Sequence, residues 1–582
     1  MRLLLALVAA GAAVASAGAG GSGPSTVVID LFALPPAPQD VLAVQVCAGL
    51  ANRAAPQSAY VLLHAEDATW LALTRPDLPV PPPLTPAADF VGACLGLAVV
   101  GGAGSGGAPP AAAGRLRYSW AQQQLVVPQL LTLAACLGAV PLEDASPFAA
   151  RAALVFDAEA EWRNYSSLNA TAAAFARCGA ATATMAIMNP GLDVHGQPWS
   201  PSPPLSKQPD LSLADFVVSA LLFNFWMTSA CVPGTDENAL LEQMVAGAPW
   251  PRPIAVYGYN DAYPVAGDIF EAETGCTRER SMGQVATVGV TNLAYFSGAP
   301  AVTRPLAQTA APRRIFNASR TYVTFVVGDG DNIAFVKTSR LDSFRRRLAA
   351  CGANASGAAA APASCYPLAW TLSPRLLRVA PDIVRWFFAN ALTTHADFFV
   401  LPPSGALYAY PSAMPPDVQA AFVAATEDEA ALMNASATVA WEVMTTWPSA
   451  IASYFPRYAA RGVVRSFFAL NVPYMVPVVE FSEGEFFKVL GNGSTPAVLF
   501  RPFEWRGTDG STLLAPFSLN ATAMASLING YAPGTVMHIY LTTDGGCTIE
   551  SCFDVLAPQL AEHVEIVPPG VLADLALQSR GL

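Results

Sequence analysis

Tyr322-Val323-Thr324-Phe325-Val326-Val327 runs straight into Gly328-Asp329-Gly330-Asp331-Asn332. An apolar run without alternation reads as a strand covered on both faces, the mark of a parallel sheet under helical crossovers. Its polar tail sets two carboxylates and an amide at the strand's carboxyl end. Similar runs recur at Pro367–Thr371, Asp397–Leu401, Thr438–Val443, Arg465–Leu470, Ala497–Phe500 and Val536–Leu541, with helix-compatible stretches such as Ile333–Leu348 and Pro381–Asn390 between them. The spacing predicts an α/β chain whose residues 313–582 form a (β/α) TIM-barrel-like domain of about seven or eight strands, with chemistry at the carboxyl ends.

Polar residues fall where that architecture needs them: Asp329, Asp331 and Asn332 after the first run, Ser373 after the second, Ser404 and Gly405 after the third, Glu442 and Thr445 on the fourth, Asn471 after the fifth, Glu504 and Trp505 after the sixth, Asp544 after the seventh. Glycosidic chemistry uses paired carboxylates, one protonating the leaving oxygen while the other attacks or activates water. Asp329, Asp331, Glu442 and Glu504 are therefore the candidate catalytic acids. Asn332, Trp370, Ser404, Tyr408, Tyr410 and Trp505 are the candidate substrate contacts, the aromatic faces serving to pack on sugar rings. Each has a plainer reading: Asp331 and Asn332 as a turn and helix N-cap, the tryptophans as core, Tyr410-Pro411 as the shape of a turn.

No cofactor is expected. Asp329 with Asp331 could bind Ca²⁺ instead, although the segment lacks the spacing of an EF-hand loop. The five histidines show no H-x-x-x-H or H-E-x-x-H spacing, and no G-x-S-x-G occurs, which disfavours zinc and serine hydrolases. His538, inside a strand-like run, reads as a core residue.

Upstream, Val27–Leu31, a helix through Leu50 with Asp40 as its N-cap, Tyr60–Leu63, Leu95–Val100, a helix around Val126–Leu137 and Ala153–Phe156 alternate as strands and helices, predicting an α/β domain over residues 25–150. A second small α/β domain is expected over 151–312, from an amphipathic stretch at Leu213–Met227 and a strand at Ile254–Tyr257. Gly102-Ala103-Gly104-Ser105-Gly106-Gly107 matches the dinucleotide fingerprint in form, but Pro109 and Pro110 break the helix that would hold a pyrophosphate.

The 582 residues exceed one core. Met1-Arg2, an apolar run from Leu3 to Val8 and small residues to Ala17 have the form of a secretory signal peptide over residues 1–17, so a secreted, extracellular protein is expected. Ten cysteines agree with export, as do Asn-x-Ser/Thr sequons at Asn164, Asn169, Asn317, Asn354, Asn434, Asn492 and Asn520. Cys351 with Cys365 and Cys547 with Cys552 are plausible local disulfides; the pairing of the other six stays open. A net charge of −12 argues against nucleic acid or an anionic membrane as partner.

Ser404-Gly405-Ala406-Leu407-Tyr408-Ala409-Tyr410-Pro411 resembles the signature of the GxGYxYP family, classed as putative glycoside hydrolases. Gly328-Asp329-Gly330-Asp331-Asn332 is similar to that family's strand-end S-D-G-D-N, and Trp370-Thr371-Leu372-Ser373-Pro374 to its W-x-x-S-P. Ala48-Gly49-Leu50-Ala51-Asn52-Arg53-Ala54-Ala55-Pro56 is similar to the Q-G-L-x-N-R-x-x-P of its N-terminal domain. The matches occur in the family's order. Leu407 stands in place of the second signature Gly, and Gly328 in place of Ser. The resemblance implies a secreted, multidomain, sugar-processing protein with a barrel-like catalytic region. The competing class is a non-catalytic carbohydrate-binding or extracellular-matrix protein on a degenerate barrel.

Overall fold

Every region of the computed structural model is built on parallel strands. The structure describes residues 26–582 apart from 33–36, 98–111, 189–210, 228, 259–275, 277–280, 288, 353–364, 473–479, 492–494, 509–516 and 543–546. The expected signal peptide, the glycine-rich fingerprint, Asp544 and the sequons at Asn354 and Asn492 lie outside the described residues.

In the first region β1 (Val27–Asp30) pairs with β2 (Ala59–Leu62) and β3 (Leu84–Thr85), all parallel. The helix between β1 and β2 is Pro38–Ala54, started by Pro38 with Ala37 at the N-cap. Asp40 therefore sits in its first turn rather than at the cap, where its charge still complements the helix dipole. A second sheet joins β4 (Gly114–Arg117), β5 (Ala139–Leu142) and β6 (Leu154–Asp157). Strand β6 thus pairs backwards across residue 150. Leu95 and Gly96, expected in a strand, form the turn after the helix Ala87–Cys94.

The third sheet has the order β10-β9-β7-β8, from β7 (Thr184–Ile187), β8 (Leu222–Phe225), β9 (Ile254–Gly258) and β10 (Met282–Val285). The Leu213–Met227 stretch divides into a helix, Ala214–Ser219, and β8, because Leu221 adopts a left-handed conformation that ends the helix. The connector before residue 319 is extended but not loose: the Gln308 amide both donates to the Phe399 carbonyl, at 3.0 Å, and accepts its N–H, at 2.8 Å.

The C-terminal region holds β11 (Thr321–Val327), β12 (Leu368–Thr371), β13 (Asp397–Val400), β14 (Ala437–Val443), β15 (Ser466–Val472), β16 (Phe487–Leu490), β17 (Ala497–Phe500), β18 (Glu504–Trp505), β19 (Val536–Leu541) and β20 (Val564–Ile566). All seven expected strands are present. They form two sheets, β13-β12-β11-β19-β18 with β20 on β11, and β14-β15-β17-β16. Neither closes on itself, so the expected barrel is not a continuous ladder. A single parallel bridge between Leu401 and Thr438 links one seam, and the segment 497–505 pairs first with β15 and then with β19 at the other. The expected helix Ile333–Leu348 is broken at Thr338 into Ile333–Lys337 and Ser339–Cys351.

Strand parity divides the side chains between two cores. Tyr322, Val326, Ala369, Val400, Val439, Phe468, Leu470, Val498, Phe500, Val536 and Tyr540, drawn from both sheets, share one inner cluster. Val323, Phe325, Val327, Leu368, Trp370 and Phe399 face the surrounding helices. The C-terminal helix Pro569–Ser579 adds Val571, Leu572 and Leu575 to the inner cluster at the amino ends of the strands, where Asp574 pairs with Arg465 just before β15. The carboxyl ends remain for a site. His538 is buried between Phe468 and Phe500, and burial pulls its imidazole down to about 3, so it is a neutral core residue at any working pH.

All ten cysteines are paired: Cys47–Cys94, Cys136–Cys178, Cys231–Cys276, Cys351–Cys365 and Cys547–Cys552. The last two are the local bridges read from sequence. The other three tie segments more than 40 residues apart, a spacing that sequence does not assign. No described helix is long and apolar enough to cross a membrane.

Candidate functional site

The acidic loop after β11 is fixed by two glycines and one tyrosine. At Gly328 a Cβ would run into the Tyr540 ring and hydroxyl, so only glycine lets that ring lie against the backbone. Asp329 takes a left-handed φ of 63°, and its N–H donates to Tyr540 Oη at 3.0 Å. Gly330 is pressed onto Thr371, whose hydroxyl accepts the Gly330 N–H at 2.9 Å and donates to the Val327 carbonyl at 2.7 Å. The Gly330 carbonyl in turn accepts the Ser373 N–H at 2.8 Å. Asn332 caps the helix Ile333–Lys337, its Oδ1 accepting the Ala334 N–H at 3.0 Å.

Four charged or ionisable side chains converge here with Tyr540. Glu504 stands opposite Tyr540 in the parallel ladder, hence on the inner face, and accepts the Thr542 hydroxyl at 2.5 Å. Burial, and then the charges of Asp329, Asp331 and Glu504, hold the Tyr540 phenol well above its ordinary range. Burial and the charge of Asp329 push the Asp331 carboxyl up to about 7. The buried Arg340 guanidinium donates to the Gly328 carbonyl and lies 5.2 Å over the Trp370 ring. Desolvation lowers it to about 10, opposed by Asp329, Tyr540 and Asp331. Among the described residues no group of three or more His, Cys, Asp or Glu is arranged to hold a metal ion.

Glu442 lies elsewhere. Ala437 and Val439 point to the inner core, so Trp441 points inward and Glu442 outward. Glu442 is fully buried, accepting the Ser412 hydroxyl, the Ser412 N–H at 3.3 Å and the Thr446 hydroxyl at 2.9 Å. Burial pushes its carboxyl up to about 7 against those bonds.

The expected aromatic platforms separate in the same way. Trp370 and Trp505 are enclosed on the outer side, their indole N–H groups donating to Asp397 Oδ1 at 2.7 Å and to the Leu519 carbonyl at 2.6 Å. Neither offers a face to a sugar. Tyr410 is buried, whereas Tyr408 keeps part of its surface. Ser404 Oγ donates within reach of the Ala409 and Trp441 carbonyls, at 2.9 and 3.1 Å, and accepts the Trp441 N–H at 3.1 Å. Gly405 takes the signature's positive φ, 116°; Leu407 does not, and packs on Gly283 where a Cβ would come within 2.6 Å of it. A leucine therefore fits without strain. Tyr408 exchanges both backbone hydrogen bonds with Gln284 of β10, fastening the signature to the third sheet. The side chain of Asn471 is outside the described residues.

Sequence reasoning missed Tyr540, Arg340 and Trp441. Val536–Leu541 has no polar–apolar alternation to set the facing of Tyr540, and nothing marks Arg340 within an arginine-rich helix. It also missed a buried clamp on the acidic loop. Lys337 pairs with Asp67 at 3.2 Å, both excluded from solvent, and donates to the Thr291 carbonyl at 2.9 Å, while Trp70 Nε1 donates to the Lys337 carbonyl at 2.8 Å. The helix following Asn332 is thus gripped by side chains of the first region.

Residues 319–476 match the family model described as the GxGYxYP putative glycoside hydrolase C-terminal domain. The fold is shared with a solved structure described as a putative hydrolase from Bacteroides thetaiotaomicron VPI-5482, at a TM-score of 0.67 and 17% identity over 96% of this chain and 95% of that one. No curated protein matches the sequence.

Proposed function

We propose that the protein is a secreted glycoside hydrolase acting on an oligo- or polysaccharide, with Asp331 as general acid and Glu504 as the ionised partner. The observation that carries this reading is the junction at Tyr540, which faces Glu504 across the ladder and holds the Asp329 backbone through its hydroxyl. A carboxyl raised to about 7 keeps its proton near neutrality, as protonation of a glycosidic oxygen requires. Burial, and after it the charge of Asp329, keeps that proton on Asp331. Glu504, from a separate strand, supplies the carboxylate that attacks the anomeric carbon or draws a proton from water, depending on whether its distance from the acid is about 5 Å or roughly 6.5–9.5 Å.

In this reading the two C-terminal sheets act as one (β/α) barrel, its seams at the Leu401–Thr438 bridge and along 497–505. The shared inner core and the helix under the amino ends support it. Five disulfides, together with exposed sequon asparagines at Asn164, Asn169, Asn317, Asn434 and Asn520, support passage through the secretory route. The experiment is a reducing-end assay of the purified protein over a panel of plant, fungal and bacterial polysaccharides. Turnover that disappears in Asp331→Asn supports the reading; binding without turnover on any of them favours a carbohydrate-binding protein.

A further inference from the structure

We infer that Trp441 is the sugar-stacking platform of this site, and that the signature tyrosines serve to hold it. The inference rests on the carbohydrate reading above and adds to it a specific ligand contact.

Trp441 is on the inner face of β14: it stands opposite Leu470, an inner-core residue, and two positions beyond Val439, another. The strand is near its carboxyl end there, at the same end as Glu504 and the acidic loop, because the Leu401–Thr438 bridge makes β13 and β14 parallel. Unlike Trp370 and Trp505, Trp441 is only partly buried.

Its surroundings fix it in place. The Tyr408 ring meets it at 4.9 Å and 88°, and the Tyr410 ring at 6.4 Å and 77°, both edge-to-face arrangements that resist rotation about χ2. Its backbone N–H donates to the Ser404 hydroxyl at 3.1 Å, and its carbonyl lies 3.1 Å from the same oxygen, whose one proton it shares with the Ala409 carbonyl. Ser404 is placed by the turn at Gly405, where a Cβ would come within 2.5 Å of Thr426. The signature therefore reaches Trp441 by a side chain at its start and by two rings at its end. A rigid aromatic with an open part, near the carboxyl end of its strand, suits the apolar C–H face of a pyranose, whose hydroxyls stay free for polar partners. Held in advance, such a ring loses little entropy on binding.

The test uses the full chain carrying Asp331→Asn, so that sugar is not consumed, with soluble hexasaccharides of β-1,4-glucose, β-1,4-xylose, β-1,3-glucose and β-1,4-N-acetylglucosamine as probes. Calorimetry gives affinity, and hydroxyl-radical footprinting with mass spectrometry gives the oxidation of the Trp441 peptide. The expected result is protection of Trp441 by the hexasaccharide that binds, loss of about tenfold or more in affinity in Trp441→Ala, and retention of most of it in Trp441→Tyr. Unchanged oxidation in the presence of a bound sugar overturns the inference and leaves the hydrolase reading standing, as does wild-type affinity in Trp441→Ala. If Trp441 is protected but Asp331→Asn still turns sugar over, the platform stands and the assigned acid fails. Binding of none of the probes overturns the platform; hydrolysis of another polysaccharide would still support the enzyme.

Discussion

Tyr540 accepts the backbone N–H of Asp329 while standing opposite Glu504 in the β18–β19 ladder, so one phenol touches the acidic loop and flanks the carboxylate of a second strand. Removing that hydroxyl leaves the Asp329 N–H without its acceptor, at a cost of about 1–3 kcal/mol if it stays buried. Tyr540→Phe should therefore lower the melting temperature and, by loosening Asp329 beside Asp331, move the limb of the pH–rate profile assigned to the acid. An unchanged profile would mean that the tyrosine supports only the fold.

Gly328 has no room for a side chain. In Gly328→Ala the new methyl group must displace the Tyr540 ring, so this substitution should reproduce the Tyr540→Phe profile and add a packing penalty of about 1–3 kcal/mol. Thermal melts and pH–rate curves of both variants and of the double variant would check this. Full additivity would argue that the two residues act independently.

The pair Asp67–Lys337 joins the first region to the helix behind the acidic loop. Breaking a buried pair leaves one charge uncompensated, and Lys337→Met should cost about 3–5 kcal/mol, read in urea unfolding. Asp67 is held below the usual carboxylate range, with burial opposing and Lys337, Thr291 and two backbone N–H groups favouring its charge. Restoring the balance with Asp67→Asn in the same chain should recover part of the loss, since no lone charge then remains.

The strands of the C-terminal region were legible because each is covered on both faces and so appears as an uninterrupted apolar run. That same continuity hid which way each side chain points. In Thr438–Val443 there is no polar–apolar alternation to orient the strand, so by sequence Glu442 is as eligible as Glu504 and nothing singles out Trp441. The acidic loop was readable from Asp-Gly-Asp-Asn, including the capping role of Asn332. Tyr408 and Tyr410 were readable as aromatic positions but not as braces, because a ring that holds another ring has the same sequence as one that holds a ligand. Barrel closure depends on pairing at two seams, which local pattern does not carry.

Glu442 provides a pH test away from the mouth. Its carboxyl titrates at about 7 in the fold against an ordinary 4.5, so between those values the folded chain keeps a proton that the unfolded chain has released. Its contribution to stability is complete below pH 4.5 and is lost as pH rises through 7, a change of up to about 3 kcal/mol. Glu442→Gln should flatten the decline of melting temperature between pH 5 and 8. A decline as steep as that of the wild type would show that Glu442 is already ionised at pH 5.

The most direct measurement compares Glu504→Gln with Glu442→Gln in the same reducing-sugar assay at pH 6 on a polysaccharide that the wild type cleaves. The account predicts that kcat falls by about a thousandfold or more in Glu504→Gln, as removal of a catalytic carboxylate should cause, while Glu442→Gln stays within about tenfold of the wild type. The reverse ranking would place the chemistry on the outer face of β14 and contradict the assignment.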